Sequence, residues 1–142
     1  MKASSKIADE QVKHERAIAG IPTTVLVVED FEETRSILRL LLEMSGYRVA
    51  VATNGQQAIE VARQERPNLI LMDLSLPVMD GLAATRLIRE DPELRQVPIV
   101  AITAHDTAEY RDRAFTAGCS EYLTKPIDFG QLGKMLYEFL DS

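Results

Sequence analysis

Thr23-Thr24-Val25-Leu26-Val27-Val28-Glu29-Asp30 is a short apolar run, rich in β-branched residues, that ends abruptly in two carboxylates. Val25 to Val28 leaves no polar face, so the run reads as a strand buried on both sides. The pattern returns twice: Leu69-Ile70-Leu71-Met72 ends in Asp73, and Ile99-Val100-Ala101-Ile102 ends in Thr103. Two weaker strands complete the set. Tyr47 to Ala52 alternates as a strand with one wetter side, and the short strand Glu121 to Thr124 runs into Lys125-Pro126.

Helical segments separate the strands. Phe31 to Ser45 carries Ile37, Leu40, Leu41 and Met44 at helical spacing, the expected core stripe, with Leu38 and Leu42 at its periphery; a partner surface is the alternative for these two. Gly46 stands where a helix end favours a left-handed residue. Thr53 or Asn54 can cap a helix from about Gly55 to Arg66, and a loop with Pro77 and Gly81 leads into a helix to about Glu90. Thr107 to Ala117 reads as a helix stopped by Gly118, and Asp128 caps a last helix with Leu132, Met135, Leu136, Phe139 and Leu140 on its apolar stripe. Five strand-then-helix units require parallel strands, right-handed crossovers and helices on both faces. The three wholly apolar strands must be central. The expected fold is therefore α/β, a doubly wound five-stranded parallel sheet in the flavodoxin-like order 2-1-3-4-5.

At 142 residues and 46% hydrophobic content the chain fits one domain, expected over residues 23–142 and preceded by a polar extension, 1–22. Its 22 acidic against 16 basic side chains leave a charge of -6, which repels nucleic-acid phosphates and anionic lipid. No apolar run approaches the roughly 20 residues that span a bilayer, and the first residues lack a signal peptide's apolar stretch, so a cytoplasmic location is expected. The one cysteine, Cys119, has no disulfide partner and reads as a small core residue; with His14 and His105 it makes no structural zinc site. His14 reads as incidental.

The polar residues at the strand ends are Glu29, Asp30, Asp73, Thr103 and Lys125. In an open parallel sheet the carboxyl ends share one edge, where ligands bind at the reversal of strand order. These side chains are therefore expected to converge. Crowded carboxylates call for cations: Lys125 supplies one, and a set of oxygen ligands without histidine or thiol suits magnesium better than zinc. A carboxylate beside such an ion, a lysine and a hydroxyl is a fitting acceptor for phosphoryl transfer, with Asp73 as the central candidate.

Val27-Val28-Glu29-Asp30, Met72-Asp73, Pro77 with Asp80-Gly81, Thr103-Ala104, and Tyr122 with Lys125-Pro126, in this order and at these intervals, resemble the receiver domain of bacterial-type response regulators in two-component signalling. The resemblance covers Thr23 to Leu140. It implies that Asp73 is phosphorylated by a histidine kinase or a histidine phosphotransfer protein, and that Glu29, Asp30 and the backbone carbonyl of Ser75 join Asp73 around Mg2+. It also implies that Lys125 and Thr103 grip the phosphoryl oxygens, that Tyr122 turns inward when the threonine moves, and that Lys125 and Pro126 are joined by a cis peptide. Glu29 stands where the family often has aspartate, which leaves open whether it meets the metal directly or through water. Ala104 matches a position that gives access to Asp73. Ser75 and His105 match positions that tune loss of the phosphoryl group.

The expected function is thus a phosphorylation-gated interaction module, not an enzyme on an external substrate. A phosphatase with an aspartyl-phosphate intermediate would resemble D-x-D at Asp73, where this chain has Ser75. A dinucleotide enzyme would show G-x-G-x-x-G after the first strand, and none is present. An adaptor that never uses its aspartate has no need of the whole set of strand-end residues. With the chain ending at Ser142, just past the last helix, the expected type is a stand-alone receiver that signals through an unidentified downstream protein.

Overall fold

The computed structural model describes residues 22–141, so the expected extension, apart from Pro22, lies outside the described residues. Five strands alternate with five helices: β1 Thr24–Val28, α1 Glu32–Met44, β2 Arg48–Ala52, α2 Gly55–Glu65, β3 Leu69–Asp73, α3 Gly81–Glu90, β4 Ile99–Thr103, α4 Ala108–Ala117, β5 Glu121–Thr124 and α5 Phe129–Leu136. A π-helical turn, Tyr137–Asp141, continues α5. All strand pairs are parallel, in the order β2-β1-β3-β4-β5. The chain is a doubly wound sheet with β2 and β5 at the edges, as the apolar runs require.

Alternation along each strand divides the core into two layers. Val25, Val27, Leu69, Leu71, Val100, Ile102 and Leu123 face α1 and α5, whereas Leu26, Val28, Ile70, Met72, Ile99 and Ala101 face α2, α3 and α4. Every residue of β1, β3 and β4 is buried. The side chains of Asn54, Asp80, Thr107 and Asp128 cap the helices that follow them. Gly46 and Gly118, at φ 93° and 118°, end α1 and α4 in the left-handed region.

The first helix presents a different face to the sheet from the one its spacing predicts. Leu38 and Leu42 are buried, at 3% and 2% exposure, while Ile37, Leu40, Leu41 and Met44 stand 51%, 59%, 38% and 75% exposed. Apolar residues surround most of this helix, so periodicity alone defines two overlapping stripes. Only Leu38 and Leu42, one turn apart, point at Val25, Val27 and their neighbours.

At the carboxyl end of β3 the chain closes tightly into α3. A Cβ on Gly81 would lie 2.4 Å from the Asp73 carbonyl oxygen and 2.7 Å from the Leu74 Cα, so glycine is required where the helix begins. At the opposite edge of the sheet Arg89 ties three segments together, donating to the carbonyls of Gly118, Arg95 and Val97 and to the Ser120 hydroxyl. Its desolvation outweighs the attraction of Cys119 and pulls the guanidinium below its ordinary pKa.

Candidate functional site

The polar strand ends converge as the topology requires. Glu29 and Asp73 are buried, at 3% and 4% exposure, and Thr103 is wholly buried, whereas Asp30 is exposed. Carboxylate oxygens of Glu29, Asp30 and Asp73 all lie within 4.8 Å of one another. Lys125 Nζ donates to Glu29 Oε1 and to Asp73 Oδ2, each at 3.0 Å. Two anions that would be costly to bury alone thus share one cation. Desolvation pulls the lysine pKa down, but the hydrogen bonds and charges of Asp73 and Glu29 overcome it and hold the ammonium above its ordinary value. The Lys125–Pro126 peptide bond is cis.

Backbone donors complete the arrangement. Ser75 N–H donates to Asp73 Oδ1 at 2.9 Å, and Phe31 N–H donates to Glu29 Oε2 at 3.2 Å. Ser75 itself is exposed, at the start of the loop between β3 and α3, and Ala104 and His105 are exposed beside the end of β4. The donor set is carboxylate oxygen alone, without imidazole or thiolate, and this fits a hard cation such as Mg2+.

Thr103 and Tyr122 meet at His105. The Thr103 hydroxyl oxygen accepts the His105 N–H at 3.2 Å, and the Tyr122 hydroxyl donates to the His105 carbonyl. Tyr122 is buried, at 7% exposure, with the Arg111 guanidinium 5.1 Å from its ring centre. Burial raises its phenol pKa, with a smaller push from Tyr110 and Asp106. The ring already occupies an inward position, which bears on the expected movement. Ala104 and His105 lie at the rim, and the His105 ring rests 4.6 Å from that of Tyr110.

A family model of the response regulator receiver domain matches residues 25–137. The chain belongs to that family. Its receiver domain is 38% identical to the polar-differentiation response regulator DivK of Brucella anthropi over 120 residues, covering 84% of this chain and 98% of that relative. Among solved structures, the receiver domain of a sensor histidine kinase from Pseudomonas aeruginosa, with a magnesium ion in its active-site cleft, is 37% identical, with a TM-score of 0.79 over 85% of this chain and 99% of that one. A co-crystal of a Saccharomyces cerevisiae histidine phosphotransfer protein with the receiver domain of its downstream response regulator also matches, at 33% identity and TM-score 0.79, covering 84% of this chain and 90% of the other. Receiver domains are signalling modules of two-component systems, and this chain is one of them. No helix among the described residues is long and apolar enough to cross a membrane.

Two features of this receiver domain escape a reading of strand ends. Arg35, in the first turns of α1, donates through one guanidinium nitrogen to the carbonyls of Glu29 and Asp30 at 3.0 and 3.3 Å. Its signal in the sequence is position alone: helix side chains tilt toward the N-terminus, so an arginine one turn into α1 lies over the acidic loop. The second is an open groove of about 260 Å³ beside Lys125, lined by Thr34, Ile37, Leu38, Pro126, Ile127 and Phe129. It brings together residues 34–38 and 126–129, which no sequence window joins.

Proposed function

We propose that Asp73 receives a phosphoryl group from a phosphohistidine of a histidine kinase or histidine phosphotransfer protein, and that the product changes what the receiver binds. The observation that carries this reading is the Lys125 ammonium held at 3.0 Å from both Asp73 and Glu29. In the transfer an Asp73 carboxylate oxygen attacks phosphorus in line, the nitrogen–phosphorus bond breaks, and the imidazole nitrogen keeps the bonding pair. An acyl phosphate results. Lys125 can turn from Glu29 toward the phosphoryl oxygens and keep its charge, because it exchanges one anionic partner for another. The Thr103 hydroxyl, whose oxygen accepts from His105, still has its own proton to donate to a phosphoryl oxygen. Glu29, Asp30, Asp73 and the Ser75 carbonyl are the groups that would hold Mg2+, which when bound neutralises charge on the transferred group. Glu29 and Asp73 each accept one hydrogen bond on either oxygen, and every one of these oxygens keeps a lone pair with which it could serve a metal.

The apolar groove beside Lys125 is where the phosphodonor would dock. Ile37 and Phe129 are about half exposed on its two walls, at 51% and 48%, so a helix carrying the phosphohistidine could bury them while presenting phosphorus to Asp73. Labelling with acetyl phosphate and magnesium tests the acceptor. Intact-mass measurement should show one added phosphoryl group on the wild type and none on Asp73→Asn, whose amide is a poor nucleophile. Undiminished labelling of the variant would refute the assignment.

A further inference from the structure

We infer that Arg35 is a positioning residue that sets the aim of the Asp30 carboxylate. This rests on the proposed metal-assisted phosphoryl chemistry only for its consequence, since the geometry stands by itself. The carbonyls of Glu29 and Asp30 belong to the two peptide units that flank the Asp30 Cα, and one Arg35 nitrogen holds both. Pinning both peptide planes fixes φ and ψ at Asp30, and therefore the direction of its Cα–Cβ bond. The Asp30–Phe31 unit is held a second time, by its N–H on Glu29 Oε2 at 3.2 Å, but the Glu29–Asp30 carbonyl and the Asp30 carbonyl are joined by Arg35, and among the described residues no hydrogen bond holds the Asp30 side chain itself. The Asp30 carboxylate is exposed and, among the described residues, has no hydrogen bond or ion pair, yet its oxygen lies within 4.8 Å of those of Glu29 and Asp73.

The bland role for Arg35 is to help start α1. That helix has Phe31 at its N-cap with no side-chain cap, and Arg35 N–H closes the first turn onto the Phe31 carbonyl at 3.0 Å. The closing bond is made by the backbone, however, and any residue at position 35 would keep it. The guanidinium acts one step earlier, on the loop. Its contacts are to carbonyl oxygens and so occupy no carboxylate oxygen that a metal needs.

The test uses Arg35→Ala and Arg35→Lys in the full chain, first without metal. Amide resonances and residual couplings of Glu29, Asp30 and Phe31 should move in Arg35→Ala while those of the sheet core stay in place; an undisturbed loop would overturn the inference whatever the metal does. Magnesium titration then follows the same resonances. Loss of such a supporting contact should weaken magnesium affinity about 10-fold or more, with partial recovery in Arg35→Lys, whose ammonium can reach one carbonyl. In an Asp30→Asn background the alanine substitution should cost nothing further, because the effect runs through that carboxylate. An equal loss in both backgrounds would place the action of Arg35 elsewhere. A wild type that fails to respond to magnesium at all would instead refute the proposed metal site, which is a separate result from an undisturbed loop.

Discussion

Lys125 holds two buried carboxylates at once, and this makes the stability of the receiver depend on pH at the alkaline end. Its folded pKa lies above the ordinary value, so the unfolded chain gives up the proton first as pH rises. The stabilising contribution is therefore complete below about pH 10.4, where an unfolded lysine titrates, and is lost as pH climbs through the folded value. Tyr122 and Cys119 also titrate above their ordinary values through burial, and they act in the same direction. Lys125→Gln isolates the lysine. The difference in unfolding free energy between wild type and this variant, measured by urea titration, should be largest near neutral pH and shrink toward zero above the lysine range. A difference independent of pH would mean that the ammonium charge is not what holds Glu29 and Asp73 together.

At the scale of elements, the sheet was readable from the sequence because three of its strands have no polar face at all, and a segment with no polar face has only one place to go. Two capping residues were readable for a similar reason, since Asn54 and Asp128 each sit directly before a periodic segment, whereas Asp80 and Thr107 emerge as caps only in the structure. Helix α1 was legible as a helix but not in its rotation. Ile37, Leu38, Leu40, Leu41, Leu42 and Met44 offer more apolar surface than one face can bury, and the spacing does not say which of them meets the sheet. Arg35 was not legible either, because its contacts are to the backbone of the β1–α1 loop. The strand-end cluster, by contrast, follows from topology alone. The two stripes of α1 make opposite predictions about stability. Leu42→Ala opens a cavity against β1 and should cost about 2–5 kcal/mol, whereas Met44→Ala, at 75% exposure, should stay within about 0.5 kcal/mol of wild type. Chemical denaturation of the two variants checks this, and equal losses would show that α1 buries the wider face.

Across the whole molecule, the proposed coupling between the site at the end of β3 and the surface of α4 would run through one residue of the β4–α4 loop. Thr103 holds the His105 N–H and Tyr122 holds the His105 carbonyl, so a displacement of the threonine hydroxyl is felt at the tyrosine through a single residue. The inward position of Tyr122 alters what the proposed phosphoryl group would have to accomplish. It does not need to create the buried arrangement, only to stabilise it against an outward one, and it can do so only by its differential interaction with the two. A coupling of about 1–3 kcal/mol, or roughly 5–150-fold, is typical of such linkage and is within reach of one added hydrogen bond to a charged oxygen. On this proposal the Thr103 hydroxyl is the donor that makes it. Thr103→Ala should therefore still accept a phosphoryl group at Asp73, yet fail to pass the change to His105, Tyr122 and the helix that begins at Ala108. Beryllofluoride, added with magnesium to wild type and to Thr103→Ala, reads this directly in the amide resonances of residues 105–117 and 122. Wild type should show shifts across that face, and the variant should confine them to the neighbourhood of Asp73. Responses of equal extent in the two proteins would show that the hydroxyl does not carry the coupling and that the β4–α4 loop is driven from elsewhere in the site.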